Sequence, residues 1–121
     1  MRKILVIEDD SFLQGLEVNK LEKSGYKVVT ASTGGEAMKK INEPEIDIIL
    51  LDLILPDFNG FEILTKIKGD EKLKNIPVIV FSNLSEEKDV TKSKELGAID
   101  FLVKSNFTLD ELIKHIEIIT K

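Results

Sequence analysis

The chain has 121 residues, 42% of them hydrophobic and 32% charged, which is typical of one globular domain and excludes a disordered chain. The absence of cysteine and the presence of one histidine exclude disulfides, thiolate zinc sites and multi-histidine metal sites. The net charge of −5 does not favour binding to duplex DNA. No apolar run reaches the ~18 residues that span a bilayer, so we expect a cytoplasmic domain.

Short apolar runs alternate with amphipathic stretches along the whole chain. In chain order, the predicted elements are strand Lys3–Ile7, helix Ser11–Ser24, strand Tyr26–Thr30, helix Thr33–Asn42, strand Ile46–Leu51, a helix after Asn59, strand Pro77–Phe81, a helix from Ser85 that ends at Gly97, strand Ala98–Val103 and a helix after Thr108. Glutamate follows three positions after Thr33, Asn59 and Thr108, a pattern typical of helix N-termini.

The strands are almost purely apolar, which indicates that both faces of the sheet are buried. Their regular alternation with helices predicts parallel β–α crossovers, and therefore a (βα)5 doubly wound parallel sheet of the α/β class. In such a sheet the ligand site lies beyond the carboxyl ends of the strands, at the point where the strand order reverses.

The predicted helices differ in apolar content. The first has four apolar positions, at Phe12, Leu13, Leu16 and Leu21. The fourth has only Val90 and Leu96 as large apolar residues, whereas the last has five: Leu109, Leu112, Ile113, Ile116 and Ile119. Since a fully buried aliphatic side chain contributes about 1.5–3 kcal/mol, the fourth helix is expected to be anchored less firmly, a property suited to switching.

Charged and polar side chains follow four of the five strands. They are Glu8, Asp9 and Asp10 after the first strand, Asp52 after the third, Ser82 after the fourth and Lys104 after the fifth. Crowded carboxylates repel one another unless a cation intervenes, and oxygen-only ligands favour Mg²⁺, Mn²⁺ or Ca²⁺. An ammonium and a hydroxyl suit a phosphoryl group, and an aspartate can form an aspartyl-phosphate.

Each of these residues also has an ordinary structural interpretation. Asp10 or Ser11 would cap the first helix, Lys104 would be a solvated loop lysine and Ser82 would be a cap or turn residue. His115, in the last helix, is expected to be a surface or boundary residue rather than a catalytic one. The complementary groups at four strand ends favour a functional site over these separate interpretations.

Four segments together resemble the receiver domain of two-component response regulators. They are ILVIEDD (4–10), IILLDLILPDFNGFEIL (48–64), PVIVFSN (77–83) and GAIDFLVK (97–104), and the resemblance covers essentially the whole chain, so residues 1–121 are expected to form one stand-alone receiver domain like those of chemotaxis. The resemblance implies a flavodoxin-like sheet of order 2-1-3-4-5.

The resemblance also implies the role of each site residue. Asp52 would be the phosphoacceptor and Lys104 would pair with the phosphoryl oxygens. Asp9, Asp52 and the backbone carbonyl of Ile54 would bind Mg²⁺, with Mn²⁺ as a substitute, and Glu8 would act largely through water.

Two residues would form the switch that the resemblance implies. Ser82 would hydrogen-bond the phosphoryl group, and Phe101 would turn inward as Ser82 moves, changing the surface formed by the fourth helix, the fifth strand and the fifth helix. Pro56 and Gly60 match the turn after the acceptor.

The sequence departs from the family pattern at several positions. Ser105 replaces the proline that usually follows the lysine in a cis bond, so the Lys104–Ser105 bond is expected to be trans, or cis at a cost of about 2.5–4 kcal/mol. Asn83 replaces a small residue and would slow access to the acceptor. Ile54 and Leu84 are apolar and cannot orient an attacking water, which predicts slow autodephosphorylation.

The predicted partners are a sensor histidine kinase or phosphotransfer protein and an unidentified downstream protein, with no nucleic acid bound directly and a monomeric or weakly dimeric state. The protein would catalyse only its own phosphorylation and dephosphorylation. The alternatives are a phosphate-independent scaffold, a receiver fragment of a longer DNA-binding regulator, a phosphohydrolase and a flavin or nucleotide binder. A haloacid-dehalogenase-type hydrolase would need an Asp-x-Asp after the first strand, and a nucleotide binder would need a glycine-rich loop there.

Overall fold

The computed structural model describes all residues from 1 to 121 and contains five strands and five α-helices. They are β1 (Lys3–Ile7), α1 (Ser11–Lys23), β2 (Lys27–Ala31), α2 (Gly34–Lys40), β3 (Ile46–Leu51), α3 (Gly60–Gly69), β4 (Val78–Ser82), α4 (Glu87–Glu95), β5 (Asp100–Val103) and α5 (Leu109–Thr120), with one 3-10 turn at Lys104–Asn106. The strands form one parallel sheet in the order β2-β1-β3-β4-β5, which confirms the predicted fold and strand order.

The sheet is covered on both faces, as the apolar strands predicted. Along β1, Leu5 and Ile7 point to one layer of the core and Ile4 and Val6 to the other, because successive strand side chains alternate. The first layer contains the buried residues of α2 and α3, and the second contains those of α1 and α5. None of the helices has the length and apolar composition needed to cross a membrane.

The predicted boundaries hold to within a few residues, with one wrong helix start. Ser85 does not begin α4, which starts at Glu87 after Glu86, and no side chain caps it by hydrogen bonding. Acidic residues in its first turn, Glu87 and Asp89, instead complement the helix dipole. By contrast, α5 begins with the predicted reciprocal capping box between Thr108 and Glu111.

The inward face of α1 differs from its pattern of apolar residues. Phe12 is 76% exposed and Leu16 is 41% exposed, while the side chain of Glu17 is buried beside Leu21 in the chain's second layer. Glu17 lies four residues from both Leu13 and Leu21, which places the three side chains on one side of the helix. A carboxyl group therefore occupies a core position in α1.

Helix α4 is anchored less firmly than α5, as its sequence predicted. Its one buried residue is Ser93, whereas α5 buries Leu112, Ile113 and Ile116. The ammonium of Lys92 lies 4.5 Å from the centre of the Phe61 ring, a cation–π contact that links α4 to α3. Little buried apolar surface thus holds α4 in place.

Candidate functional site

The carboxyl ends of β1, β3 and β5 bring together two carboxylates and one ammonium. The Lys104 Nζ lies 2.6 Å from Asp52 Oδ2 and 2.8 Å from Glu8 Oε1. The three side chains are 12%, 4% and 2% exposed in the order Lys104, Asp52, Glu8. One cation is thus shared between two carboxylates that are nearly removed from water.

Asp52 also accepts hydrogen bonds on its other oxygen. The Ser82 hydroxyl donates to Oδ1 at 2.9 Å, and the backbone N–H of Ile54 donates to the same oxygen at 3.0 Å. The backbone N–H of Asp52 donates to the carbonyl of Ile7 at 3.0 Å, which fixes the residue to the end of β1. The side chain is therefore oriented by groups from two strand ends and its own loop, while its backbone is fixed to a third.

Burial and charge act against each other in this cluster. Burial raises the pKa of Glu8, and the neighbouring Asp52 raises it further, against the hydrogen bond from Lys104 that lowers it. Burial alone would lower the pKa of Lys104, but the hydrogen bonds and charges of Asp52 and Glu8 outweigh it and raise the pKa. Lys104 is consequently charged at neutral pH and offsets part of the carboxylate repulsion.

Glu8, Asp9 and Asp52 form an acidic cluster in which one oxygen of each carboxylate lies within 4.8 Å of the others. Glu8 and Asp52 are buried, while Asp9 is exposed at the rim of the cluster. Because all the donors are oxygens and neither sulfur nor imidazole is present, the set fits a hard divalent cation such as Mg²⁺. Glu8, Asp9 and Asp52 thus form an acidic cluster that could hold a metal, and Lys104 contacts two of its three members.

Two other candidates have structural roles. Asp10 is the N-cap of α1, where its Oδ1 accepts from the backbone N–H of Leu13 at 3.0 Å. His115 lies outside the acidic cluster, with its Nδ1 3.0 Å from Asp100 Oδ2 and its ring edge-on to Phe107. Asp10 thus caps its helix, as its ordinary interpretation predicted, and the partly exposed His115 is a boundary residue, as expected.

The two expected switch residues lie in the neighbouring strands β4 and β5, and only Ser82 is seen to contact Asp52. Ser82 is the last residue of β4 and is fully buried, and Phe101 in β5 is 9% exposed and packs in the first core layer. No peptide bond is cis, so the Lys104–Ser105 bond is trans and begins the 3-10 turn. Ser82 bonds Asp52, and Phe101 faces inward, the position that the resemblance implies for this ring in the phosphorylated state.

A loop of residues 54–59, which we call the acceptor loop, follows Asp52 and Leu53. It closes through an antiparallel bridge between Ile54 and Asn59 and a 2.9 Å bond from the Gly60 N–H to the Leu53 carbonyl. A Cβ on Gly60 would lie 2.3 Å from the Leu53 Cα, so only glycine permits this close approach. The expected shaping role of Gly60 follows from this contact.

Sequence reasoning missed two residues of α1 that border the site. The Gln14 side chain donates to the carbonyl of Glu8 at 2.8 Å and to the Ser32 hydroxyl at 3.1 Å, which ties α1 to the ends of β1 and β2. Burial raises the pKa of Glu17 to about 8, and neither of its carboxyl oxygens has a hydrogen-bond partner. The helical spacing from Leu13 and Leu21 is the sequence signal that marks Glu17 as inward.

Comparisons with known proteins match nearly the whole chain to one family. Residues 4–117 match the family model of the response regulator receiver domain. The CpxR homolog of Haemophilus influenzae, a transcriptional regulatory protein, is 39% identical over 121 residues, covering 100% of this chain and 51% of that protein. The phosphate regulon transcriptional regulatory protein PhoB of Escherichia coli is 32% identical over 120 residues, covering 99% of this chain and 52% of that protein.

A solved structure gives the same family. The non-phosphorylated HemR receiver domain from Leptospira biflexa superimposes with a TM-score of 0.92 at 31% identity, covering 100% of this chain and 95% of that one. The chain spans about half the length of the two curated relatives. It belongs to the response regulator receiver domains, the phosphorylatable switches of two-component signalling.

Proposed function

We propose that residues 1–121 form one receiver domain in which Asp52 is the phosphoacceptor. The observation that carries this proposal is the pair of fixed donors on the Asp52 carboxylate, Lys104 on one oxygen and Ser82 on the other. Phosphoryl transfer depends mainly on positioning and charge neutralisation, and this arrangement supplies both. Membership of the family implies exchange with a histidine kinase or phosphotransfer protein.

The transfer step involves one bond formed and one broken. An Asp52 carboxylate oxygen bonds to phosphorus while the bond from phosphorus to the donor's imidazole nitrogen breaks. The imidazole leaves with the electron pair of that bond, and the donor's histidine is no longer phosphorylated. Lys104 then pairs with the phosphoryl oxygens, and the Ser82 hydroxyl donates to one of them. The chain changes only itself, in keeping with a family whose members are not classical enzymes.

Receiver domains in general bind Mg²⁺, and the donors of this chain fit it. Asp9, Asp52 and the backbone carbonyl of Ile54 would hold the ion, with Glu8 acting through water and Mn²⁺ as a substitute. When bound, the ion neutralises charge on the transferring phosphoryl group. The exposed position of Asp9 supports this assignment, because it leaves one side of the cluster open to solvent.

The acceptor is tested by intact mass after incubation with Mg²⁺ and acetyl phosphate. We expect one added phosphoryl group on the wild type and none on Asp52→Asn. Turnover of external phosphomonoesters would instead indicate a hydrolase, and the absence of any adduct would indicate a phosphate-independent scaffold. Ser105→Ala, an exposed residue of the 3-10 turn, is a matched control that should be phosphorylated like the wild type.

The output surface is proposed to be α4, β5 and α5, with Ser82 and Phe101 as the switch residues. We expect beryllofluoride, a phosphoryl mimic, to change amide exchange in α4 by about tenfold and in the better buried α5 by less. The measurement is hydrogen–deuterium exchange with and without the mimic. Equal exchange of α4 in both states would contradict this part of the proposal.

The lifetime of the phosphoryl group gives another prediction. Ile54 is 48% exposed and Leu84 is half-buried, so both lie where a polar side chain could meet an entering water, and Asn83 is exposed beside them. We expect Ile54→Asn combined with Leu84→Gln to shorten the phosphoryl half-life about tenfold, less than the roughly 100-fold of a full general base. A half-life that does not shorten in the double variant would contradict it.

The downstream output is proposed from the relatives. Two of them are named transcriptional regulatory proteins, so control of transcription is the candidate output. The net charge of −5 argues against direct DNA binding by this domain. A protein partner or a further domain would instead bind its output surface. We expect a monomer or weak dimer in the unphosphorylated state.

A further inference from the structure

One side chain of the acceptor loop caps the beginning of helix α2. Asp57 Oδ1 accepts from the backbone N–H of Gly34 at 2.7 Å, and its Oδ2 accepts from the N–H of Gly35 at 3.0 Å. The first N–H groups of a helix have no partner within the helix, so the carboxylate satisfies two of them. These hydrogen bonds, led by the one from Gly35, lower the pKa of Asp57, which is therefore ionised at neutral pH.

Helix α2 depends on such a contact more than a longer helix would. It has seven residues and begins with two glycines, a length and composition at which an isolated helix is unstable in water. Its own N-cap, Thr33, accepts only from the N–H of Glu36, at 3.1 Å. Asp57 supplies the remaining cap from 22 residues further along the chain.

A second contact joins the same loop to the same helix. The Phe58 side chain lies against Gly34, where a Cβ would come within 2.3 Å of the ring. The absence of a side chain at Gly34 therefore lets the loop lie directly on the helix. The loop is held at its base by Leu53 and Gly60 and on its outer side by α2.

We propose that Asp57 is a positioning residue for the acceptor site: by clamping the acceptor loop to α2, it fixes the place of the Ile54 carbonyl, only three residues before it. The inference rests on the proposed function, in which that carbonyl is a ligand of Mg²⁺. Because coupling between two sites is reciprocal, occupation of the site also stabilises α2 through Asp57. Helix α2 lies outside the proposed output surface. Occupation of the site would therefore affect a second surface of the domain, through Asp57.

The test compares Asp57→Ala with Thr33→Ala. Both remove side-chain caps from the first turn of α2, but only Asp57→Ala frees the acceptor loop. Calorimetric titration with Mg²⁺ at about 0.15 M salt, where exposed charges more than about 8 Å apart are largely screened, should show about tenfold weaker affinity for Asp57→Ala. Thr33→Ala should bind Mg²⁺ like the wild type, and Asp57→Asn, which keeps one acceptor oxygen, should lie between.

Amide exchange in α2 separates positioning from a mere loss of charge. We expect Mg²⁺ to slow exchange at residues 37–40 in the wild type and in Thr33→Ala, but not in Asp57→Ala. Equal Mg²⁺ affinity and equal slowing in all variants would overturn the role of Asp57 and leave the proposed function intact. A wild-type chain that takes up no Mg²⁺ would overturn both.

Discussion

Replacing Glu17 by leucine is expected to stabilise the protein, and to do so more strongly as the pH rises. The carboxyl group is 1% exposed and has no hydrogen-bond partner, so its charged form is strongly disfavoured. Its pKa is raised from an ordinary 4.5 to about 8. At about 1.36 kcal/mol per pKa unit, this shift corresponds to a stability change on the order of 5 kcal/mol.

The pH range of this effect follows from the direction of the shift. Below pH 4.5 the carboxyl is protonated in the folded and the unfolded chain, so its ionisation takes nothing from the free energy of unfolding. As the pH rises towards about 8, the unfolded chain loses the proton while the folded chain keeps it. The free energy of unfolding therefore falls over this range. Leucine does not titrate, so the gain in the free energy of unfolding should be larger at pH 8.5 than at pH 5.

Urea denaturation of Glu17→Leu at the two pH values measures this difference. Glu22→Leu is the matched control, since it makes the same substitution at an exposed position of α1. We expect the control to have little effect on stability, and the same effect at both pH values. If Glu17→Leu gained no more stability at pH 8.5 than at pH 5, the buried carboxyl would not carry the assigned cost.

Replacing Lys104 by methionine is expected to destabilise the protein when Mg²⁺ is absent. The ammonium contacts both Glu8 and Asp52, and its removal leaves two nearly buried carboxylates with no cation between them. Breaking a buried ion pair by removing one partner costs about 3–5 kcal/mol. Lys104→Arg, which retains the charge, should lose much less.

Magnesium distinguishes this electrostatic loss from a packing defect. The Lys104→Met variant should bind Mg²⁺ more tightly than the wild type, because the competing ammonium is gone from the acidic cluster. At about 100 times its dissociation constant, the ion should restore about 2.7 kcal/mol. Denaturation with and without Mg²⁺ measures both effects, and a variant as stable as the wild type without Mg²⁺ would contradict the account.

The sheet and its acidic edge could be predicted because they depend on short-range patterns. Continuous apolar runs predict the strands, and the rule for parallel sheets predicts that Glu8, Asp52 and Lys104 lie at one edge. The structure confirms that edge but shows Lys104 bound to both carboxylates, a sharing that depends on distances rather than on sequence order.

The missed features arise from contacts between distant segments. The exposure of Phe12 and the burial of Glu17 depend on how α1 is rotated against the sheet, which apolar content alone does not determine. The Asp57 cap joins residues 22 positions apart. Ser85 resembled a helix cap, but hydrogen bonding at the start of α4 depends on local backbone geometry as well as on residue type.

Chemical localisation of the phosphoryl group tests the central assignment most directly. Borohydride reduces an acyl phosphate to an alcohol, so protein treated with Mg²⁺ and acetyl phosphate, then reduced and digested, should carry homoserine at position 52 and nowhere else. Reduction at Asp9, phosphate retained on Ser82, or an unmodified peptide containing Asp52 would contradict the assignment.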